Sequence, residues 1–421
     1  MATRTVRTSP ALTRTRASAS AFKRIATYGD PRSENALFRG DNADVLSAYR
    51  DAWKERFRLI YFDPPYNTGR TFAEYIDRTD PRAWADMIRA RLTLLYPLLR
   101  EDGALVAQIG DTEFASLHVL LDEVFGRDNR ISTITLVRSA ATGHKAKNAG
   151  PVNVSDFLLL YAKSRKHFRP RALTVPREGT DPAYSTFLHN RSAPTSRWKF
   201  GSLREAAATH LGYESASSAK RTLGREAFEA NVTAFALAHA DSVIRFAQPR
   251  YEAVSKAART LIDRSRQSPE RVLTLARASH PDLILRGGNR ILFLSDKIEQ
   301  REGQTTVVEP MTNVWSDIPY QGIAKEGGVV FSRNKKPEAL LARILEMASE
   351  PGSWVLDPFA GSGTTCAAAH KMGRTWVGIE KGSHLDNLCI PRLRRVVDGV
   401  DETGVSRSTG FSGGGGFSVY G

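Results

Sequence analysis

The chain has 421 residues, 41% of them hydrophobic and 25% charged, an ordinary globular balance in a length that calls for two or three domains rather than one core. No apolar run approaches the ~18 residues that cross a bilayer, the N-terminus lacks the apolar stretch of a secretory signal, and the only two cysteines, Cys366 and Cys389, leave no disulfide framework or cysteine zinc cluster. A soluble, cytoplasmic protein is expected, and the net charge of +15 points either to a polyanionic partner or to a generally basic proteome. Its distribution favours the first, because residues 165–290 hold 22 Lys and Arg against 11 Asp and Glu, so +11 of the +15 lies in one segment, as a phosphate-contacting surface requires.

Residues 1–29 carry Arg4, Arg7, Arg14, Arg16, Lys23 and Arg24 and no acid, which predicts a disordered basic arm. From Ala36 strands and helices alternate: a strand over Leu37–Arg39, a helix over Asp44–Trp53, and an apolar strand over Arg58–Phe62. A helix is expected over Arg82–Leu99, with Trp84, Ile88, Leu92, Leu95 and Leu99 at helical spacing. Then come a strand at Ala104–Ile109, a helix at Glu113–Val124, and strands at Ile131–Val137 and Asp156–Tyr161. This alternation predicts an α/β fold with a doubly wound, mostly parallel sheet over residues 30–169.

The rhythm stops in residues 170–305, which read as a helix-rich basic insert with helices over Tyr251–Asp263 and Pro269–Ala278. It resumes in residues 306–400, with a helix over Pro337–Ala348, a strand over Trp354–Leu356, a helix over Thr364–Lys371 and a strand over Thr375–Ile379. Residues 401–421, with the run Gly413–Gly416, read as a flexible tail.

Two loops carry the chemistry. Val355-Leu-Asp-Pro-Phe-Ala-Gly-Ser-Gly-Thr-Thr365 is a strand, a glycine turn and a helix start, the arrangement that brings backbone and helix N–H groups against a polar ligand. It is not a P-loop, since Thr364 follows Gly363 where Lys is needed, and position 366 is Cys rather than the third glycine of a dinucleotide fingerprint. Glu380 ends the next strand, the place of a carboxylate that accepts ribose hydroxyls. The second loop, Asp63-Pro-Pro-Tyr66, also follows a strand. Pro64 and Pro65 stiffen it and remove two backbone donors. A carboxylate and a carbonyl can then accept both N–H bonds of an exocyclic amine, and Tyr66 offers a face for a base taken out of the stack. A proline-rich turn is the plain alternative for this loop taken alone.

These residues resemble the amino-methyltransferases of DNA modification. The order of reaction loop, basic insert and cofactor loop is similar to their β class, and the stretches Tyr61–Gly69, Phe331–Pro337, Gly378–Gly382 and Pro391–Arg394 resemble modification subunits of type III restriction systems. The resemblance implies a circularly permuted Rossmann-like methyltransferase fold with an inserted target-recognition domain, S-adenosylmethionine as cofactor, double-stranded DNA as substrate, and adenine N6 as the target. It assigns the amine to Asp63 and the Pro64 carbonyl, stacking to Tyr66, and the cofactor to Asp357, Pro358, Phe359, Gly361, Gly363, Thr364 and Glu380. Asp41 for the cofactor's adenine and Lys336 near its methionine end are further positions, although a surface turn or helix cap accounts for them as well. His144, Lys145, Lys147 and Lys199 are candidates for DNA contact, and Trp198 fits core packing equally. A homodimer and a restriction or defence partner are the assemblies implied. The competing functions are an N4-cytosine enzyme, an RNA base methyltransferase and a catalytically silent DNA-binding subunit.

Overall fold

The computed structural model describes residues 22–421 apart from 72–75, 140–150, 178, 279, 302, 321 and 331–334. Two compact units result: residues 1–172 joined to 312–421, and the insert Leu173–Met311. Among the described residues no helix is long and apolar enough to cross a membrane.

The principal elements of the first unit are β1 (Arg24–Gly29), β2 (Ala36–Arg39), α1 (Asn42–Ala48), β3 (Phe57–Phe62), α2 (Pro81–Leu95), β4 (Leu99–Ile109), α3 (Phe114–Phe125), β5 (Arg130–Val137), β6 (Ser155–Ala162), β7 (Val314–Trp315), α4 (Glu338–Ala348), β8 (Trp354–Asp357), α5 (Thr364–Lys371), β9 (Thr375–Glu380), α6 (Ile390–Val397) and β10 (Gly416–Tyr420). The strands form one ten-stranded sheet in the order β1-β10-β2-β9-β8-β3-β4-β6-β5-β7. Pairing is parallel from β10 through β4, while β6 and β1 run antiparallel to their neighbours.

This is the doubly wound, mostly parallel α/β sheet expected from the alternation. β3 is buried along its whole length, as a strand covered on both faces must be. α2 begins where the Asp80 carboxylate accepts from the amides of Arg82 and Ala83 and Pro81 takes the first turn. Its Trp84, Ile88, Leu92 and Leu95 enter the core. From β3 the chain proceeds through α2 to β4, and from β8 through α5 to β9, so two adjacent strands send their chains toward opposite edges of the sheet. Such a switch point is where doubly wound sheets bind ligands.

Both terminal segments depart from expectation over their described residues, and residues 1–21 of the expected arm lie outside these. The basic arm becomes β1 from Arg24, and the tail ends in β10, which lies between β1 and β2. Phe417 and Val419 are fully buried. The glycines there serve close approach rather than flexibility: a Cβ on Gly416 would stand 2.5 Å from the Asp30 nitrogen, and one on Gly29 would stand 2.3 Å from the Gly415 oxygen.

The insert is not helix-rich but mixed. Its antiparallel six-stranded sheet runs in the order Phe200–Ser202, Thr186–Leu188, Val243–Ala247, Asn289–Phe293, Leu283–Arg286, Val272–Leu275. The helices Leu203–His210, Ala216–Leu223 and Arg225–Ala238 bury Phe228, Val232 and Phe235 in a core with Val243. The helix expected over Pro269–Ala278 is instead the strand Val272–Leu275, whose Val-Leu-Thr-Leu pairs with Leu283–Arg286. The helix expected at Tyr251–Asp263 runs over Lys256–Gln267, because Ser255 caps it through the Ala258 amide. The insert also closes later than residue 305: Thr174–Pro176 pairs with Gln304–Pro310 and brings its two ends together.

Phe417 tests the closure of the chain ends. Phe417→Ala is expected to lower unfolding stability by about 3–5 kcal/mol, the usual loss for a fully buried aromatic ring. A urea titration followed by circular dichroism measures it.

Candidate active site

The register of the sheet sets the two chemical loops side by side. β3 pairs with β8 through Leu59–Val355 and Ile60–Leu356, so Asp63 and Pro358 leave neighbouring strands at the same end. The rings of Phe62 and Phe359 meet edge to face at 5.3 Å. β2 and β9 end together, with Arg39 opposite Glu380, which brings Asp41 and Glu380 to the same edge.

The reaction loop is held from several sides. The Trp84 indole donates to the Pro65 carbonyl at 2.8 Å. Asn67 takes a left-handed conformation with φ of 55°, which Asn tolerates; its side chain donates to Glu113 and accepts from the Thr79 amide, both at 2.8 Å. The Tyr66 hydroxyl approaches Asp156 at 3.4 Å, and Asp156 is fixed by Gln108 at 3.0 Å and Arg138 at 2.9 Å. Gln108 in turn accepts from Tyr61 at 2.6 Å. Gly110 leaves room for the Tyr66 ring, since a Cβ there would stand 3.0 Å from it. Burial pushes the Asp156 carboxyl up despite the Arg138 and Lys336 cations.

The cofactor loop is a tight, self-supported turn. Asp357 is buried and accepts from the Phe359 amide at 3.0 Å. Asn42 donates to the Pro358 carbonyl at 2.8 Å. Gly361 and Gly363 have φ of 52° and 76°, and a Cβ on Gly363 would stand 2.8 Å from the Cys389 sulfur, so glycine is required there. The Gly361 amide donates to Glu380 at 2.9 Å and the Gly382 amide at 2.7 Å. Burial opposes ionisation of Glu380, but hydrogen bonds from His384 and these two amides outweigh it and hold the carboxyl below its ordinary range. Thr364 turns inward and accepts from Arg392 at 2.7 Å, which makes it an anchor of the turn.

A family model for N6/N4 methyltransferases, described as DNA methylase, matches residues 57–388, a span that contains both loops and Glu380. The chain belongs to this DNA methylase family. It is 28% identical over 419 residues to the probable type III restriction-modification enzyme HindVI Mod subunit of Haemophilus influenzae, covering 92% of this chain and 54% of that protein. It is 26% identical over 359 residues to the type II methyltransferase M.EcaI of Enterobacter cloacae, covering 82% of this chain and 66% of that protein. The chain thus spans between about half and two thirds of the length of these curated relatives. Among solved structures, the cytosine-N4-specific PvuII DNA methyltransferase aligns at 12% identity and a TM-score of 0.42, over 87% of this chain and 88% of that one. The complex of M1.HpyAVI with SAM aligns at 13% identity and a TM-score of 0.40, over 85% and 98%.

The remaining sequence candidates separate. Asp41 caps α1 through the Ala43 amide at 2.9 Å and pairs with Arg91 at 3.0 Å. Lys336 lies on Asp63, with its ammonium 2.7 Å from Oδ2. In the insert Trp198 is core, its indole donating to the Ala193 carbonyl, while Lys199 is exposed. His144, Lys145 and Lys147 lie outside the described residues. Sequence reading overlooked Gln108 and Asp156, and the available signal was a polar residue inside each of two apolar strands. It also overlooked Arg392, whose fully buried guanidinium joins Thr364 to Glu338 at 2.7 Å each.

Asp357 gives the chain a distinctive pH response. Burial, opposed by hydrogen bonds from Thr365 and the Phe359 amide, raises its carboxyl from 3.8 to about 7. The unfolded chain therefore loses this proton first, and the contribution to stability falls by up to ~1.4 kcal/mol per pH unit as pH rises toward the folded value. Compared by denaturant titration, Asp357→Asn is expected to lack that slope between about pH 4 and 7 and to run parallel to the parent above it, because the amide keeps the acceptor for Phe359.

Proposed function

We propose that the methylase transfers a methyl group from S-adenosylmethionine to N6 of an adenine swung out of duplex DNA at a specific sequence. The observation that supports this most directly is the adjacency of Asp63–Tyr66 and Asp357–Gly363 on paired parallel strands, with Glu380 at the same edge. The residues fit the two substrates: Gly361 and Gly363 hold a left-handed turn that ends at the start of α5, Glu380 is held ionised for ribose hydroxyls, and Asp63 carries an oxygen, Oδ1, that is buried without a hydrogen-bond partner among the described residues. When bound, S-adenosylmethionine supplies an electrophilic methyl group on a sulfonium.

The chain's own part is positioning and electrostatics. Trp84 occupies the Pro65 carbonyl, which leaves that of Pro64, with Asp63, to accept the two N–H bonds of the amine. These acceptors favour a localised nitrogen lone pair and stabilise the positive charge that grows there. Tyr66, its hydroxyl tied to Asp156, presents a fixed ring for the base. Holding both partners in reacting geometry supplies much of the remaining rate.

The basic insert, with Lys199 on its surface, is our proposed contact to the DNA phosphates. The names of the relatives, Mod subunits of type III enzymes in Haemophilus influenzae and Salmonella typhimurium, support a place in restriction-modification, with a homodimer and a nuclease partner as proposed assemblies. The Asp at the first position of the reaction loop, Asp63, supports adenine over cytosine, since the N4-cytosine enzymes of the family it resembles more often carry Ser there.

The test incubates the protein with labelled S-adenosylmethionine and mixed-sequence duplex DNA, followed by mass spectrometry of the nucleosides. N6-methyladenine is expected, and Asp63→Ala should reduce its rate by ~100-fold or more. N4-methylcytosine would overturn the base assignment, and unlabelled DNA would overturn methyl transfer by this chain.

A further inference from the structure

Neither oxygen of Asp63 is open to a base. Oδ1 is buried, and Oδ2 is held by the Lys336 ammonium at 2.7 Å. The same ammonium lies 5.2 Å from the centre of the Tyr66 ring. A carboxylate acceptor and that aromatic ring are the two contacts proposed above for the target, so Lys336 imitates the exocyclic amine. An ammonium is the stronger donor to a carboxylate, and a cation at this place opposes the positive charge that must grow on the attacking nitrogen. Methyl transfer therefore requires Lys336 to be elsewhere.

The flanking chain confines the movement to one side chain. Lys335 is buried and donates to the carbonyls of Ala324, Glu326 and Val329. On the other side the Glu338 amide donates to Glu326 at 2.9 Å, and the Glu338 carboxylate is locked between Lys371 and Arg392. With Lys335 anchored through its ammonium and Glu338 through both amide and carboxylate, the group free to swing is the four-carbon stem of Lys336. Its ammonium then needs another anion. Among the described carboxylates, Asp156 already pairs with the Arg138 guanidinium at 2.9 Å, and Asp357 is buried on the Phe359 amide. S-adenosylmethionine has a carboxylate only three carbons from its sulfur, and that sulfur must stand beside the amine on Asp63 for transfer to occur.

We propose that Lys336 is a positioning residue that couples the two substrates: it occupies Asp63 until its ammonium passes to the carboxylate of the bound cofactor, and only then can Asp63 accept the target amine. This rests on the S-adenosylmethionine reading above. It makes cofactor binding a precondition for tight engagement of the target base, and by reciprocity DNA strengthens cofactor binding by the same factor.

The measurement is affinity for a fluorescent duplex carrying the mapped methylation site, read by anisotropy. It is made without nucleoside, with S-adenosylhomocysteine, and with 5′-methylthioadenosine, which lacks the carboxylate, each at a level calorimetry shows to be saturating. S-adenosylhomocysteine is expected to tighten DNA binding by roughly tenfold or more, and 5′-methylthioadenosine to leave it unchanged. Lys336→Met should bind the duplex tightly with no nucleoside and gain nothing from S-adenosylhomocysteine, whereas mere loss of a cation would weaken DNA binding. Lys336→Gln should behave alike and serves if the first variant does not fold. Equal tightening by both nucleosides, or a variant that still responds to S-adenosylhomocysteine, would overturn the coupling. If calorimetry shows no binding of S-adenosylhomocysteine, the cofactor reading falls and the coupling falls with it.

Discussion

The parallel pairing that sets Leu59 beside Val355 and Ile60 beside Leu356 is the contact on which the site depends. It joins positions about 300 residues apart in sequence, yet the entropy of closing such a loop grows only slowly with length. Complete burial of β3 and of Val355 and Leu356 in β8 offsets it. Because the two strands run in the same direction and in step, the loops that follow them emerge at one level. A slip of one residue would turn every side chain of either strand to the other face and would separate the loops as well as disrupt the core.

Behind the cofactor loop lies a second constraint, a group of charges without access to water. Lys371 bonds Glu338 and Asp401 at 2.8 Å each, and Arg392 bonds Glu338 at 2.7 Å. These residues come from α5, α4, the segment after α6, and α6 itself. Taking four charges out of water is expensive, and such clusters contribute little net stability over an apolar core. What this one provides is direction: Arg392 reaches Thr364 at the first position of α5, so the turn from Pro358 to Gly363 is tied to three elements at once. Glu380 ties its other side through the Gly361 amide.

In front of that frame the polar side chains of the reaction loop form a chain from strand to strand. Tyr61 on β3 bonds Gln108 on β4, which bonds Asp156 on β6, which reaches Tyr66. Each lies in or directly after an apolar strand, where an unpaired polar group would be costly, and the pairing is what makes their presence tolerable. The consequence is a Tyr66 ring whose hydroxyl edge lies against Asp156 and for which Gly110, lacking a side chain, leaves room.

The sequence by itself determined the local pieces: apolar strands, the amphipathic helix α2 from its apolar spacing, although that spacing carried it on to Leu99, which begins β4, and two loops whose residue types matched one chemistry. These are properties of neighbouring residues, carried by periodicity and by the restrictions on Pro and Gly. Tertiary structure decided what distant residues do to one another. It turned the glycine-rich tail into a buried strand, because close approach of Gly29 and Gly416 demands the same residue type as flexibility does. It made the insert a mixed fold, because the short strand Val272–Leu275 carries too few residues for its period to be told from a helix. It also placed Lys336 on Asp63, a pairing invisible in sequence because two charges some 270 positions apart meet only when the sheet has closed.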